Sequence, residues 1–234
     1  MQLLSYSACS QSKPLCFLLG PLANDLLHAL TVVMRKDLAE SYLCCICLMN
    51  ITFLEDAVKP VLQYSPSIVA IPKEKEFQKS FEIKKRNKPS MRALSNPHSM
   101  LRCIEAILTR CPKKPTEVSI RGETIRWACG FVKNVSNDEE NATLIAQTDI
   151  PLRLSGYIKL APLDLVEWTE NSLEENALAA MFNLARFDSS KKVLDKIGAA
   201  DVVAPIIGLG GIHDFRASMI WSSLEDEPPD SIRI

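Results

Sequence analysis

Three nine-residue segments of this chain align on a shared asparagine: Cys44–Thr52 around Asn50, Ala128–Ser136 around Asn134 and Ala177–Ala185 around Asn183. Six residues before the asparagine stands a small side chain (Cys44, Ala128, Ala177). Two before it stands an apolar one (Leu48, Val132, Met181). One after it is aliphatic (Ile51, Val135, Leu184), and two after it is small (Thr52, Ser136, Ala185). Positions −5, −2 and +1 share one face at helical spacing, and the small residues let neighbouring helices approach closely. Self-similarity at long intervals marks a repeat array, in which each unit buries its apolar face against its neighbours.

The residues after each asparagine are also alike. After Asn134 the chain reads Asp138 to Asp149 and then Ile150-Pro-Leu; after Asn183 it reads Asp188 to Gly198 and then Ala199-Ala-Asp-Val-Val. Each is a short helix, a polar or glycine stop, and a second apolar helix, with Asp138 and Asp188 as N-caps and Gly198 as a C-terminal stop. Only 8 glycines occur, which favours helices over a sandwich or a doubly wound sheet.

The unit at 177–207, Ala-Leu-x-x-Met-x-Asn-Leu-Ala followed by Val-Leu-x-x-Ile-Gly-Ala-x-x-x-Val-x-Pro-Ile-Ile, resembles the armadillo repeat. The copy at 128–154 resembles it well and the copy at 44–62 in part, together about two-thirds of the chain. The resemblance implies an all-α, right-handed α-α superhelix of about four repeats, each of about 42 residues in three helices, with the third helices lining a concave face. Third helices are expected at about 37–53, 119–136, 172–187 and 213–225, and second helices near 20–34, 98–110, 150–160 and 200–209. The repeat domain then runs over 20–225, between a poorly defined segment 1–19 and an acidic, Pro-containing tail 226–234. A basic stretch at about 64–97 reads as an insertion or a degenerate repeat.

In armadillo proteins that bind extended peptides, the matching asparagines hydrogen-bond the ligand backbone. The resemblance thus makes Asn50, Asn134 and Asn183 protein-binding candidates, because a carboxamide both donates and accepts. The competing reading is that each amide braces its own repeat. Positions −1 and +3 on the same face add Met49, Phe53, Lys133, Phe182 and Arg186, whose apolar members suit an apolar partner segment. On this reading, replacing Asn134 and Asn183 by alanine weakens partner binding and leaves the array folded. The importin-alpha branch carries a tryptophan four residues before this asparagine; here Ile46, Gly130 and Ala179 stand there, which argues against nuclear-signal cargo.

Other features yield blander readings. The 8 cysteines include Cys44, Cys45 and Cys47 inside an apolar run, where a thiol packs as a small hydrophobe; zinc would need further ligands nearby. No metal and no cofactor is expected. The loop Gly208-Leu-Gly-Gly211 lacks the Lys-Ser/Thr of a phosphate loop and reads as the turn into the last helix. Lys84, Lys85, Arg86 and Lys88 form a basic targeting patch or a solvated loop. Glu139, Glu140, Glu174 and Glu175 stand at helix starts, where carboxylates favour the dipole.

No G-x-S-x-G, HExxH or glycine-rich nucleotide loop occurs and no acid/base or nucleophile set converges, so the chain does not read as an enzyme. A net charge of −1 gives no field for nucleic acid or an anionic membrane. Asn24, Asp25 and His28 interrupt the apolar stretch at 15–34, and no basic residue precedes it among the first twelve, unlike a signal peptide. The expectation is a module that binds another protein or peptide segment, in the cytoplasm or the nucleus. The alternative is a structural solenoid that self-associates through its end helices.

Overall fold

Every position of the asparagine-centred pattern is buried in all three copies: Cys44, Ala128 and Ala177 at −6, Leu48, Val132 and Met181 at −2, Ile51, Val135 and Leu184 at +1, and Thr52, Ser136 and Ala185 at +2. The computed structural model describes residues 23–36, 38–65, 93–110, 115–159 and 171–225. The segment 1–19, most of the basic stretch with its Lys84–Lys88 patch, and the tail 226–234 lie outside them.

The described residues are all-helical. In chain order the helices are α1 (Ala23–Lys36), α2 (Leu38–Ile51), α3 (Glu55–Leu62), α4 (Met100–Thr109), α5 (Pro115–Val135), α6 (Glu139–Ala146), α7 (Ile150–Lys159), α8 (Leu173–Ala185), α9 (Asp188–Lys196), α10 (Ala199–Val203), continued by a 3-10 turn over Ala204–Ile206, and α11 (Gly211–Leu224). They fall into three rows. The third helices α2, α5, α8 and α11 pack side by side in chain order, and the second helices α1, α4, α7 and α10 pack likewise. In the remaining row α6 packs on α9, and Lys59 of α3 pairs with Glu140 of α6. Each three-helix unit thus buries its apolar faces against the next, and one core runs through the stack from Leu27 to Ile220.

The local signals largely act as expected. Asp138 caps α6 by accepting from the Asn141 N–H at 2.9 Å, and Ser99 and Ser172 cap α4 and α8 in the same way. Pro115 opens α5, where its missing N–H costs nothing. Gly198 ends α9 in the left-handed region at φ 69°, a conformation that favours glycine. Asp188 is a correction: Phe187 occupies the N-cap position without a side-chain bond. Asp188 is the first helical residue and instead pairs with Lys191 at 2.8 Å.

The turn Gly208–Gly211 has glycines 208, 210 and 211 at φ 88°, 86° and 77°. The carboxylate of Asp214 closes it by accepting from the Gly208 and Gly210 N–H groups at 3.1 and 3.2 Å. Its backbone donors serve the entry to α11, in agreement with the reading as a turn.

Helices in a stack have a standing problem, because their last carbonyls lack intrahelical partners. Here a polar side chain of the next unit supplies the donor. In the second row, Arg110 Nη2 donates to the Met34 carbonyl at 2.5 Å, and the Tyr157 hydroxyl donates to Leu108 at 2.6 Å. In the third row the donors come from the recurring asparagines.

Cys44, Cys45, Cys47, Cys103 and Cys129 are free and buried. Burial pushes Cys44 up to about 12 and Cys47 and Cys103 up to about 11, so these thiols are held protonated and unreactive. Among the described residues no His/Cys/Asp/Glu group is gathered that could hold a metal, and no helix is long and apolar enough to cross a membrane.

Candidate interaction face on the third helices

Asn134 and Asn183 make equivalent contacts one unit apart. Asn134 Nδ2 donates to the Met49 carbonyl at 2.9 Å and to Thr52 Oγ1 at 3.3 Å; Asn183 Nδ2 donates to the Lys133 carbonyl at 2.7 Å. Met49 and Lys133 are each the residue before the preceding asparagine, in the last turn of α2 and of α5. The amide of one unit therefore closes the helix end of the unit before it. The +2 hydroxyls cover the same carbonyls: Thr52 Oγ1 donates to Leu48 and Met49, and Ser136 Oγ donates to Lys133 at 3.0 Å.

This geometry engages the N–H side of both amides inside the stack. Asn50 and Asn183 are buried and Asn134 is half-buried. The bracing is between repeats, rather than within one repeat. Asn183→Ala is expected to cost about 1 kcal/mol of stability, because the Lys133 carbonyl loses its donor from the next unit and keeps only that of Ser136. Urea denaturation followed by circular dichroism measures it, and an unchanged midpoint would contradict the bracing role. Asn50 and Asn141, each in an Asn-x-Thr sequence that would accept a glycan in a secreted protein, are buried in the folded stack.

The −1 and +3 positions separate sharply. Met49 does not reach the surface; it is 4% exposed and is turned between α2 and α5. The cause is Gly130: a Cβ there would stand 2.5 Å from Met49 Sδ and 3.3 Å from Asn176 Nδ2. The missing side chain makes the room that Met49 fills. Gly130→Leu is therefore expected to lower stability by about 3 kcal/mol through overpacking, read from the thermal midpoint. A rise in midpoint from better helix propensity alone would show that Met49 can move aside.

Phe53, by contrast, is 62% exposed. Phe182 is half-buried, with its ring centroid 6.1 Å from that of Phe215 on α11. Arg186 is exposed, donates to Asn137 Oδ1 at 3.3 Å and lies over the Phe187 ring. Lys133 Nζ lies 3.2 Å from Glu175 Oε2. Phe53 and Arg186 thus surface along the third-helix row and Lys133 and Phe182 are half-exposed there, while Asn50 and Asn183 are buried and Asn134 is half-buried. Trp127 is half-buried under the Arg126 guanidinium, 4.5 Å from its ring.

Glu175 is a further charged residue of this face that the sequence does not single out. Like its neighbour Glu174 it reads as a first-turn carboxylate for the helix dipole, and it does stand in the first turn of α8. Its side chain, however, is buried between α5 and α11, with Arg216 Nη1 at 2.6 Å from Oε1 and Lys133 at 3.2 Å from Oε2. Burial pushes its carboxyl up, but the Arg216 and Lys133 cations outweigh that and hold it below the ordinary glutamate value. Nothing in the local sequence separates Glu175 from Glu174; only the helical phase, about 100° per residue, turns one inward. Asn176 adds a further link, donating to the Arg126 carbonyl at 3.3 Å. No known protein family, curated protein or solved structure matches the chain.

Proposed function

We propose that this chain is a protein-interaction module: an armadillo-type, right-handed superhelix whose third helices form a concave face that takes a segment of another protein. The observation that carries this reading is the sorting along α2, α5, α8 and α11. The small and apolar positions of the repeated pattern are buried throughout, while Phe53 and Arg186 are exposed and Lys133 and Phe182 half-exposed at the −1 and +3 positions beside them. Side chains of this kind on one face of a stack are what an extended binding surface requires. On this reading the chain needs no catalytic group, metal or cofactor, and a cytoplasmic or nuclear partner is expected.

The hydrogen bonds of the asparagines move the weight of the hypothesis off them. Their N–H groups are already engaged, so the test uses the surface residues. A pull-down with mass spectrometry should compare the wild type with a Phe53→Ser/Arg186→Glu double variant. Proteins captured by the wild type and lost from the variant support the module; identical captures would sink it.

One observation favours self-assembly as a second reading. Ile212, Phe215 and Met219 of α11 are 53%, 53% and 46% exposed, with Leu209 beside them at 49%. Spacings of three and four put the first three on one face, at the end of the row. Sedimentation velocity decides: a dimer that Phe215→Asp dissolves supports assembly, and a monomer at all concentrations excludes it.

A further inference from the structure

The face proposed above carries more positive charge than its own carboxylate offsets. Arg216 and Lys133 share the single carboxylate of Glu175, at 2.6 and 3.2 Å, and their side chains keep 20% and 21% of their exposure. Two cations against one anion leave one positive charge in excess at a half-open position. Farther along α8 stands Arg186, whose guanidinium donates to the neutral Asn137 and has no carboxylate within 4.0 Å among the described residues. Phe182 lies between them, seven residues after Glu175 and four before Arg186, on the same side of the helix. Its ring meets that of Phe215, which is exposed. From α8 outward the surface therefore reads: excess positive charge, aromatic step, exposed guanidinium.

The spacing follows from helix geometry. About eleven residues from Glu175 to Arg186, at roughly 1.5 Å each, place the two cationic positions roughly 16 Å apart. An extended chain covers that distance in about five residues. We infer that the face takes an acidic segment of a partner protein, with two carboxylates about four or about six residues apart, an even spacing that keeps both on one side of the extended chain, flanking an aliphatic or aromatic side chain on that same side that settles on the Phe182–Phe215 pair. Charge complementarity sets the choice, because a basic segment would face the unbalanced charges of Lys133, Arg216 and Arg186. The inference rests on the interaction-module reading and specifies the chemistry of its partner.

The test is a selection of random twelve-residue displayed peptides on the full chain. Selected peptides are then synthesised with a fluorophore and titrated by anisotropy. Expected are sequences with Asp or Glu on either side of an apolar residue. Arg186→Glu should weaken them by about tenfold, with a matching loss of salt dependence, and Lys133→Gln by less. Lys192→Glu, exposed on α9, should leave them unchanged, and circular dichroism confirms that each variant is folded. Peptides that are neutral or basic, respond to Phe182→Ser and ignore Arg186→Glu would overturn the acidic partner while leaving the groove standing. If no peptide is selected, or if binding ignores Phe182→Ser as well, the groove itself fails. A chain that dimerises through α11 and selects no peptide has the same effect.

Discussion

Phe131→Ala is expected to remove about 4 kcal/mol of stability, a large share of what a domain of this size possesses. Phe131 is 0% exposed and heads the fully buried side chains by volume. It sits in α5, the helix that packs on α2 on one side and on α8 on the other. Truncation leaves a cavity that two rigid neighbours cannot both fill, so the transfer and cavity costs add. Because α5 joins the two halves of the third-helix row, the damage should not stay local. Urea denaturation monitored by far-ultraviolet circular dichroism should show the midpoint falling, with Phe131→Leu losing only about 1.5 kcal/mol. A loss under about 1 kcal/mol for the alanine variant would mean that α5 is not clamped between α2 and α8.

Removing the carboxylate of Glu175 should have the next largest effect. Glu175→Ala leaves Lys133 and Arg216 facing each other in a half-buried position. Breaking a fully buried pair costs about 3–5 kcal/mol, but both cations here retain some solvent, so about 2 kcal/mol is the better expectation. The pH dependence gives a second readout. The folded carboxyl lies below the ordinary value of 4.5, so the unfolded chain takes up the proton first as the pH drops. Its contribution is therefore fully present above about pH 4.5 and is lost as the pH falls through the lower, folded value. The stability difference between wild type and Glu175→Gln should be largest near neutrality and shrink below about pH 4.5. A difference that stays constant down to about pH 3 would show that Glu175 carries no charge-dependent stabilisation.

The helices and their order were legible in the sequence because they rest on local rules, whereas their stacking in rows was only what the family resemblance implied. Apolar spacing marked the buried faces of α2, α5 and α8, and the second and third helices lie close to the expected ranges. Asp138 and Gly198 act as caps because a cap involves residues within a few positions of each other. The failure at Asp188 is of the same local kind, an N-cap displaced by one residue.

Tertiary structure decided the roles of individual side chains on the third-helix face. Position −1 holds Met49 in one copy and Phe182 in another, equal by helical phase. One is buried because Gly130 lies across from it, and the other is half open beside Phe215. Periodicity gives the direction of a side chain but not the distance to the helix it faces.

The same limit applies to charge. Glu175 and Glu174 are neighbours in one helix turn, and only the placement of Lys133 and Arg216, 42 and 41 residues away, makes one of them an inter-helix clamp. The recurring asparagine shows both halves. That Asn50, Asn134 and Asn183 mark equivalent helices is a property of the sequence alone. That two of them close the preceding helix end emerges only when the helices are stacked, because an unpaired carbonyl in the last turn takes its donor from whichever neighbour the packing brings within reach.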